Sequence, residues 1–217
     1  MLQQRYALDL AAVGTGAGWV LHRLSFTDPD AAIRLSARRF ASSMIHRAGE
    51  LGAPVIIGSM QGRIQDGIPR EQAIHWLTEA LEELGSYAAS SGVKLLYEPL
   101  NRYETNLFNR LGDAFTWLRS LSARNLRLVA DLFHMGIEEQ DLAHAVREAG
   151  SLIGHVHFAD SNRRAVGYGD TDVAPIVAAL RQIGYSGYLS AEIFPIPDTL
   201  TAARQTMAAF GRFVGGR

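Results

Sequence analysis

LRLVADLFHMGIEEQDLAHAVREAGSLIGHVHFAD, residues 126–160, holds one full repeat of the pattern from which the fold is read. Residues 126–131 are a short, mostly apolar run that ends in Asp131, with His134 close behind. An amphipathic stretch follows at 141–148, and then a second apolar run, 153–158, ends in His155-Val156-His157 and Phe158. Short apolar runs separated by amphipathic stretches predict strands buried on both faces and joined by helices. The two-residue period of a strand puts His155 and His157 on one face.

Working outward, the alternation recurs along the chain. Strands are expected at 6–13, 55–58, 93–98, 126–131, 153–158 and 188–193. Asp28-Pro29 predicts an N-cap with proline in the first helical position, and that helix runs to Leu51 with Gly52 closing it. Pro69 opens the next helix and Gly92 ends it; further helices are expected at 111–123, 141–148, 173–183 and 197–214. Strict alternation implies right-handed βαβ units and a parallel sheet. A barrel of eight such units needs roughly 250 residues, and a doubly wound open sheet accepts six strands, so the pattern alone leaves both open.

No linker or composition break divides the 217 residues, and a single α/β domain over 1–217 is expected. With 47% hydrophobic and 20% charged residues there is ample material for a core. A net charge of −1 calls for neither a nucleic-acid nor a membrane partner. The absence of cysteine excludes disulfides, thiolate nucleophiles and cysteine-ligated metals. The opening MLQQRYALDL lacks a basic segment followed by an apolar one, and no apolar run is long enough to span a bilayer; a cytoplasmic protein is expected.

Active sites of parallel α/β folds lie at the carboxyl ends of the strands. Here those ends deliver Glu98, then Asp131 and His134, then His155, His157, Asp160 and Arg163, then Glu192. Buried charges are costly unless paired or bound to metal. Three carboxylates and an imidazole suit a divalent cation, with no sulfur ligand to bias the choice among Mn²⁺, Mg²⁺, Co²⁺ and Zn²⁺. His157, nearer the strand end, is preferred over His155 as the ligand. Each residue also has a plainer reading. Glu98 and Asp131 pair with Arg102 or Arg127 in the core, His134 caps a turn, Arg163 is a solvated loop cation, and Glu104 faces solvent. The segment 14–18, GTGAG, reads as a flexible loop because its spacing matches no phosphate-binding motif, and His22 falls in a loop.

The segments YEPLNRYETNLFN (97–109), ADLFHMGIEE (130–139), GHVHFADSNRRAVGYGD (154–170) and GYSGYLSAEIFPIPD (184–198) resemble the sugar-phosphate isomerase/epimerase superfamily. Its members have a xylose isomerase-like barrel, and the nearest resemblance is to ketose 3-epimerases of the D-tagatose/D-psicose type. The resemblance implies an incomplete TIM-type barrel of six βα units, with the first two of eight absent. It also implies Glu98, Asp131, His157 and Glu192 as metal ligands, with Mn²⁺ the expected ion. Glu98 and Glu192 would be the acid/base pair that inverts C3 of a ketose through a cis-enediolate, and Glu104, His134 and Arg163 would contact the sugar's oxygens. The same site serves aldose–ketose isomerases, hydroxypyruvate isomerase and inosose dehydratases. A nuclease of this fold needs more early histidines than VIIGSMQGR (55–63) supplies. A non-catalytic metal-binding, sugar-binding or assembly protein is the alternative of another class. Absent units leave two open edges, from which a homo-oligomer is expected.

Overall fold

The computed structural model of the chain describes residues 5–215. Six strands, β1 (Val13–Gly14), β2 (Val55–Ile57), β3 (Leu95–Tyr97), β4 (Leu126–Asp131), β5 (Ile153–His157) and β6 (Leu189–Ser190), form one sheet in sequence order. Every neighbouring pair is parallel. A doubly wound sheet reverses its strand order part-way; this one does not. It curls into an incomplete barrel, and Tyr188, at the start of the last strand, reaches across to donate a hydrogen bond to Asp9 Oδ2 at 3.2 Å.

The helices are α1 (Gly16–His22), α2 (Ala31–Leu51), α3 (Arg70–Ser90), α4 (Leu111–Ser120), α5 (Leu132–Glu138), α6 (Leu142–Ala149), α7 (Val173–Gln182) and α8 (Thr199–Phe213). No described helix is long and apolar enough to cross a membrane. Strand periodicity divides the core in two. Val55, Ile57, Leu95, Tyr97, Leu128 and Ala130 point outward into the main core, where they join Leu77, Leu81 and Leu84 of α3. The alternate residues Ile56, Leu96 and Val129 meet in a small separate cluster with Ala12, which is the interior of the barrel.

Several local expectations are corrected. The strand placed at 6–13 is paired only at Val13–Gly14, and Arg5 and Tyr6 are helical. An edge strand has a partner on one side alone, and here β2 offers register only to Val13 and Gly14. The helix expected to cap at Asp28 is capped by Asp30, which accepts a bond from Ala32 N at 2.7 Å, while Asp28 accepts from Asp30 N at 2.8 Å. Gly52 closes that helix with φ +67°. The segment read as a flexible loop folds into α1, which ends at His22 and is closed by Arg23 at φ +55°. Helix α5 was not legible; it starts directly after Asp131 because that carboxylate accepts from Phe133 N and His134 N. The last strand is two residues rather than 188–193, so Glu192 lies just beyond it.

Candidate active site

The ends of β3, β4, β5 and β6 each deliver one side chain to a common point. Glu98 follows β3, and its N–H donates to Ile57 O at 3.0 Å, continuing the ladder by one step. Beneath it, the buried Gln61 amide donates to the carbonyls of Glu98 (2.9 Å) and Gly58 (3.0 Å), and its oxygen accepts from the Tyr97 hydroxyl. Asp131 closes β4 and divides its carboxylate. Oδ1 caps α5 through Phe133 N and His134 N at 2.8 and 3.1 Å, while Oδ2 lies 3.0 Å from His157 Nδ1. Asp131 and His157 are register partners across β4 and β5, which is why they meet.

His157 Nδ1 is the focus of the cluster. It lies 2.9 Å from Glu98 Oε1, 3.0 Å from Asp131 Oδ2 and 3.1 Å from Glu192 Oε2. One donor atom from each of the four residues lies within 4.8 Å of the others, a group able to hold a metal ion. Glu98, Asp131 and His157 are buried, whereas the Glu192 side chain is 52% exposed. Glu98 Oε1 is close to Nδ1 but out of line for a hydrogen bond, leaving a buried oxygen without a partner. Three carboxylates around one imidazole nitrogen, one of them with an orphaned oxygen, fit a hard or borderline divalent cation.

The clustered carboxylates and the imidazole shift one another's protonation. Burial disfavours a charged His157, but the carboxylates of Asp131, Glu192 and Glu98 around it outweigh that and push its pKa up to about 12. Burial pushes Glu98 up to about 7 although His157 opposes the rise. Burial also works to raise Asp131, yet the His157 bond and the neighbouring His134 hold it below its usual range.

His134, Glu104 and Arg163 line the same centre. The fully buried His134 accepts at Nδ1 from Asn101 N at 3.2 Å, which leaves the proton on Nε2. That Nε2 has no hydrogen-bond partner and stands 4.0 Å from Asp131 Oδ2. Burial lowers the His134 pKa, so the ring is a neutral donor aimed at the cluster. The Arg163 guanidinium lies over the Phe133 ring at 5.0 Å, with Nη1 3.2 Å from Glu104 Oε1 and Nη2 3.5 Å from Glu192 Oε2. A cavity of about 310 Å³ opens beside Glu98 and Glu192, walled by Ala11, Gly14, Gly58 and Ser59.

The plainer pairings are not made. Arg102 forks onto the buried Glu138, with Nε to Oε1 and Nη2 to Oε2 both at 2.9 Å. Arg127 donates to the carbonyls of Arg124 and Leu126. His155 stands apart from the carboxylates: its Nε2 is 2.7 Å from Ser190 Oγ, and burial lowers its pKa to about 4. Sequence reading missed Gln61, Asn101 and Glu138, which sit in loops or on a helix without spacing signals.

One protein-family profile, described as a xylose isomerase-like TIM barrel, matches residues 2–211. The chain belongs to the xylose isomerase-like TIM barrel family. Among curated members it is 30% identical to D-psicose 3-epimerase of Agrobacterium fabrum over 174 residues, which is 78% of this chain and 60% of that protein. It is 39% identical to L-ribulose 3-epimerase of a Methylomonas species over 115 residues, 53% of this chain and 40% of that protein. The chain thus spans about 60% of the length of the first of these xylose isomerase-like relatives. Among solved structures, D-psicose 3-epimerase with D-tagatose from Clostridium cellulolyticum H10 superposes with a TM-score of 0.79 at 27% identity, over 88% of this chain and 74% of that one.

Proposed function

We propose that this protein is a divalent-metal-dependent sugar epimerase, acting at C3 of a ketose, with Mn²⁺ as the resident ion. The observation that carries the reading is the convergence of Glu98, Asp131 and Glu192 on His157 Nδ1 at 2.9–3.1 Å. The names of the relatives, D-psicose 3-epimerase and L-ribulose 3-epimerase, support the substrate class.

Glu98, Asp131, His157 and Glu192 would hold the ion, which would supply Lewis acidity at the sugar's carbonyl. One glutamate of the pair Glu98 and Glu192 takes the proton from C3, giving an enediolate, and the other returns a proton to the opposite face. The neutral His134 donates its Nε2 proton to a sugar oxygen, and Arg163 and Glu104 hold further oxygens. The neighbouring 310 Å³ cavity gives room for the rest of the substrate.

We also propose that copies of the chain associate. Tyr188, Phe194 and Met207 are exposed by 46, 52 and 66% on the β6 side, and Tyr6, Val20 and Leu21 by 57, 64 and 71% on the β1 side. Exposed large apolar side chains at both edges favour association. Solution scattering that finds a stable monomer of this chain overturns this part.

The test of the activity is solvent deuterium. Purified protein with Mn²⁺ and a panel of free ketoses should incorporate deuterium at C3, and a chelator should stop it. Metal binding with no exchange on any sugar favours a non-catalytic binding protein instead.

A further inference from the structure

The loop after β5 is built around one carboxylate outside the metal cluster. Asp160 is 1% exposed. Its Oδ1 accepts from Ser161 N at 2.8 Å and Thr171 N at 3.0 Å; its Oδ2 accepts from Gly167 N at 2.7 Å and Gly169 N at 2.9 Å. Burial opposes ionisation, yet these four backbone bonds hold the carboxyl below its ordinary pKa.

Two glycines donate to this group, and each has its own reason to lack a side chain. A β-carbon on Gly169 would stand 2.6 Å from Asp160 Oδ1, and one on Gly167, which has φ +101°, would stand 2.6 Å from the Gln205 amide nitrogen. Gly169 is bare because the carboxylate occupies the place of its side chain, and Gly167 because of its positive φ and the Gln205 amide; both direct their N–H groups to Asp160. The Gly-Tyr-Gly of residues 167–169 is therefore a partner of Asp160.

The loop so closed presents Arg163. Arg163 N donates to Asp160 O at 2.9 Å, and Asp160 N donates to Arg164 O at 3.0 Å, so the residue is held at the tip of a tight turn. Arg163 adopts φ +56°, a left-handed conformation that an arginine takes only when its surroundings enforce it. Its carbonyl accepts from Phe194 N at 2.7 Å, two residues beyond Glu192. One turn thus sets the backbone of Arg163 and ties it to the segment carrying Glu192.

We infer that Asp160 is a positioning residue, which binds four backbone N–H groups to fix the turn that aims the Arg163 guanidinium at Glu104 and Glu192. It touches no reacting atom. The inference rests on the reading that Arg163 contacts the sugar, but its structural half does not.

Two measurements separate these halves. The first is amide hydrogen exchange on Asp160→Ala, with no sugar present. Protection should be lost at Gly167, Gly169 and Thr171, and also at Phe194, while Val156 and Phe158 of the β5 ladder keep theirs. If the loop amides open and Phe194 stays protected, Asp160 does not govern Arg163 and the inference falls. Gly169→Ala, whose new methyl group meets the same carboxylate, should give the same pattern if Asp160→Ala proves too unstable to purify. The second measurement is kinetic, with D-psicose and Mn²⁺. Asp160→Ala should raise KM by about tenfold or more while kcat changes by less than about threefold, and it should add nothing in an Arg163→Ala background. Additive effects of the two substitutions overturn the link to Arg163. Absence of turnover in the unaltered protein counts against the proposed activity, and the exchange pattern still decides the role of Asp160.

Discussion

Gly58 lies directly against Glu98: a β-carbon built at Gly58 would stand 2.6 Å from Glu98 Oε2. The end of β2 is thus shaped to admit the carboxylate that follows β3. Gly58→Ala should leave the fold intact by circular dichroism but weaken metal binding by roughly 10–100-fold, because the added methyl group displaces the Glu98 carboxylate, an effect the size of that seen when a ligand's orientation is disturbed. Unchanged metal affinity by titration would show that Glu98 shifts without consequence.

Glu98 and Glu192 are proposed to act on opposite faces of one carbon. Glu98→Gln and Glu192→Gln should each slow solvent-proton exchange at C3 by roughly 10²-fold or more. The check is deuterium incorporation measured by mass spectrometry at saturating Mn²⁺. Full exchange in either variant contradicts a two-base scheme.

Metal uptake should release protons, because the carboxylates push His157 up to about 12 when no cation is present. Calorimetric titration with Mn²⁺ in buffers of different ionisation enthalpy measures the number released. Release of none at pH 7 would mean that His157 is already neutral.

The same group sets a pH dependence of stability. The folded pKa of His157 is raised above the ordinary 6.5, so its contribution is fully present below 6.5 and is lost as pH climbs toward about 12. Below 6.5, His155, held neutral down to about 4, works in the opposite sense. Chelated protein should therefore lose thermal stability between pH 7 and 9, by on the order of 1 kcal/mol per pH unit. Metal-loaded protein should lose less. A rising Tm of the chelated protein over that range contradicts the assignment.

Asp30, not Asp28, accepts a free N–H in the first turn of α2, that of Ala32. Asp30→Ala should cost about 1 kcal/mol in denaturant unfolding, and Asp28→Ala less. Equal losses would mean that the Asp28 bond to Asp30 N matters as much as the cap itself.

Much of the site was legible because its chemistry sits where apolar runs end. Glu98, Asp131 and His157 stand at or next to strand termini, and a charged group there has few structural excuses. The supporting groups were not legible. Gln61 lies on a three-residue helical turn and Asn101 in a loop, where no periodicity marks a side chain as buried; Asp160 was visible as a polar group after the fifth strand, but not as the anchor of its loop. Helix α5 escaped because its start depends on the Asp131 carboxylate rather than on an apolar stripe.

By itself the sequence determined the alternation of strands and helices and the residue at each strand end. Both follow from local periodicity and punctuation, which act over a few residues. The alternation alone left a barrel and an open sheet both possible and the family resemblance implied the barrel; the tertiary structure supplies the six strands in sequential order. It alone also brought Glu98, Asp131 and Glu192 to one nitrogen of His157 and left the His134 proton on Nε2. Those relationships depend on register and curl summed over the whole sheet, so no short stretch of chain encodes them.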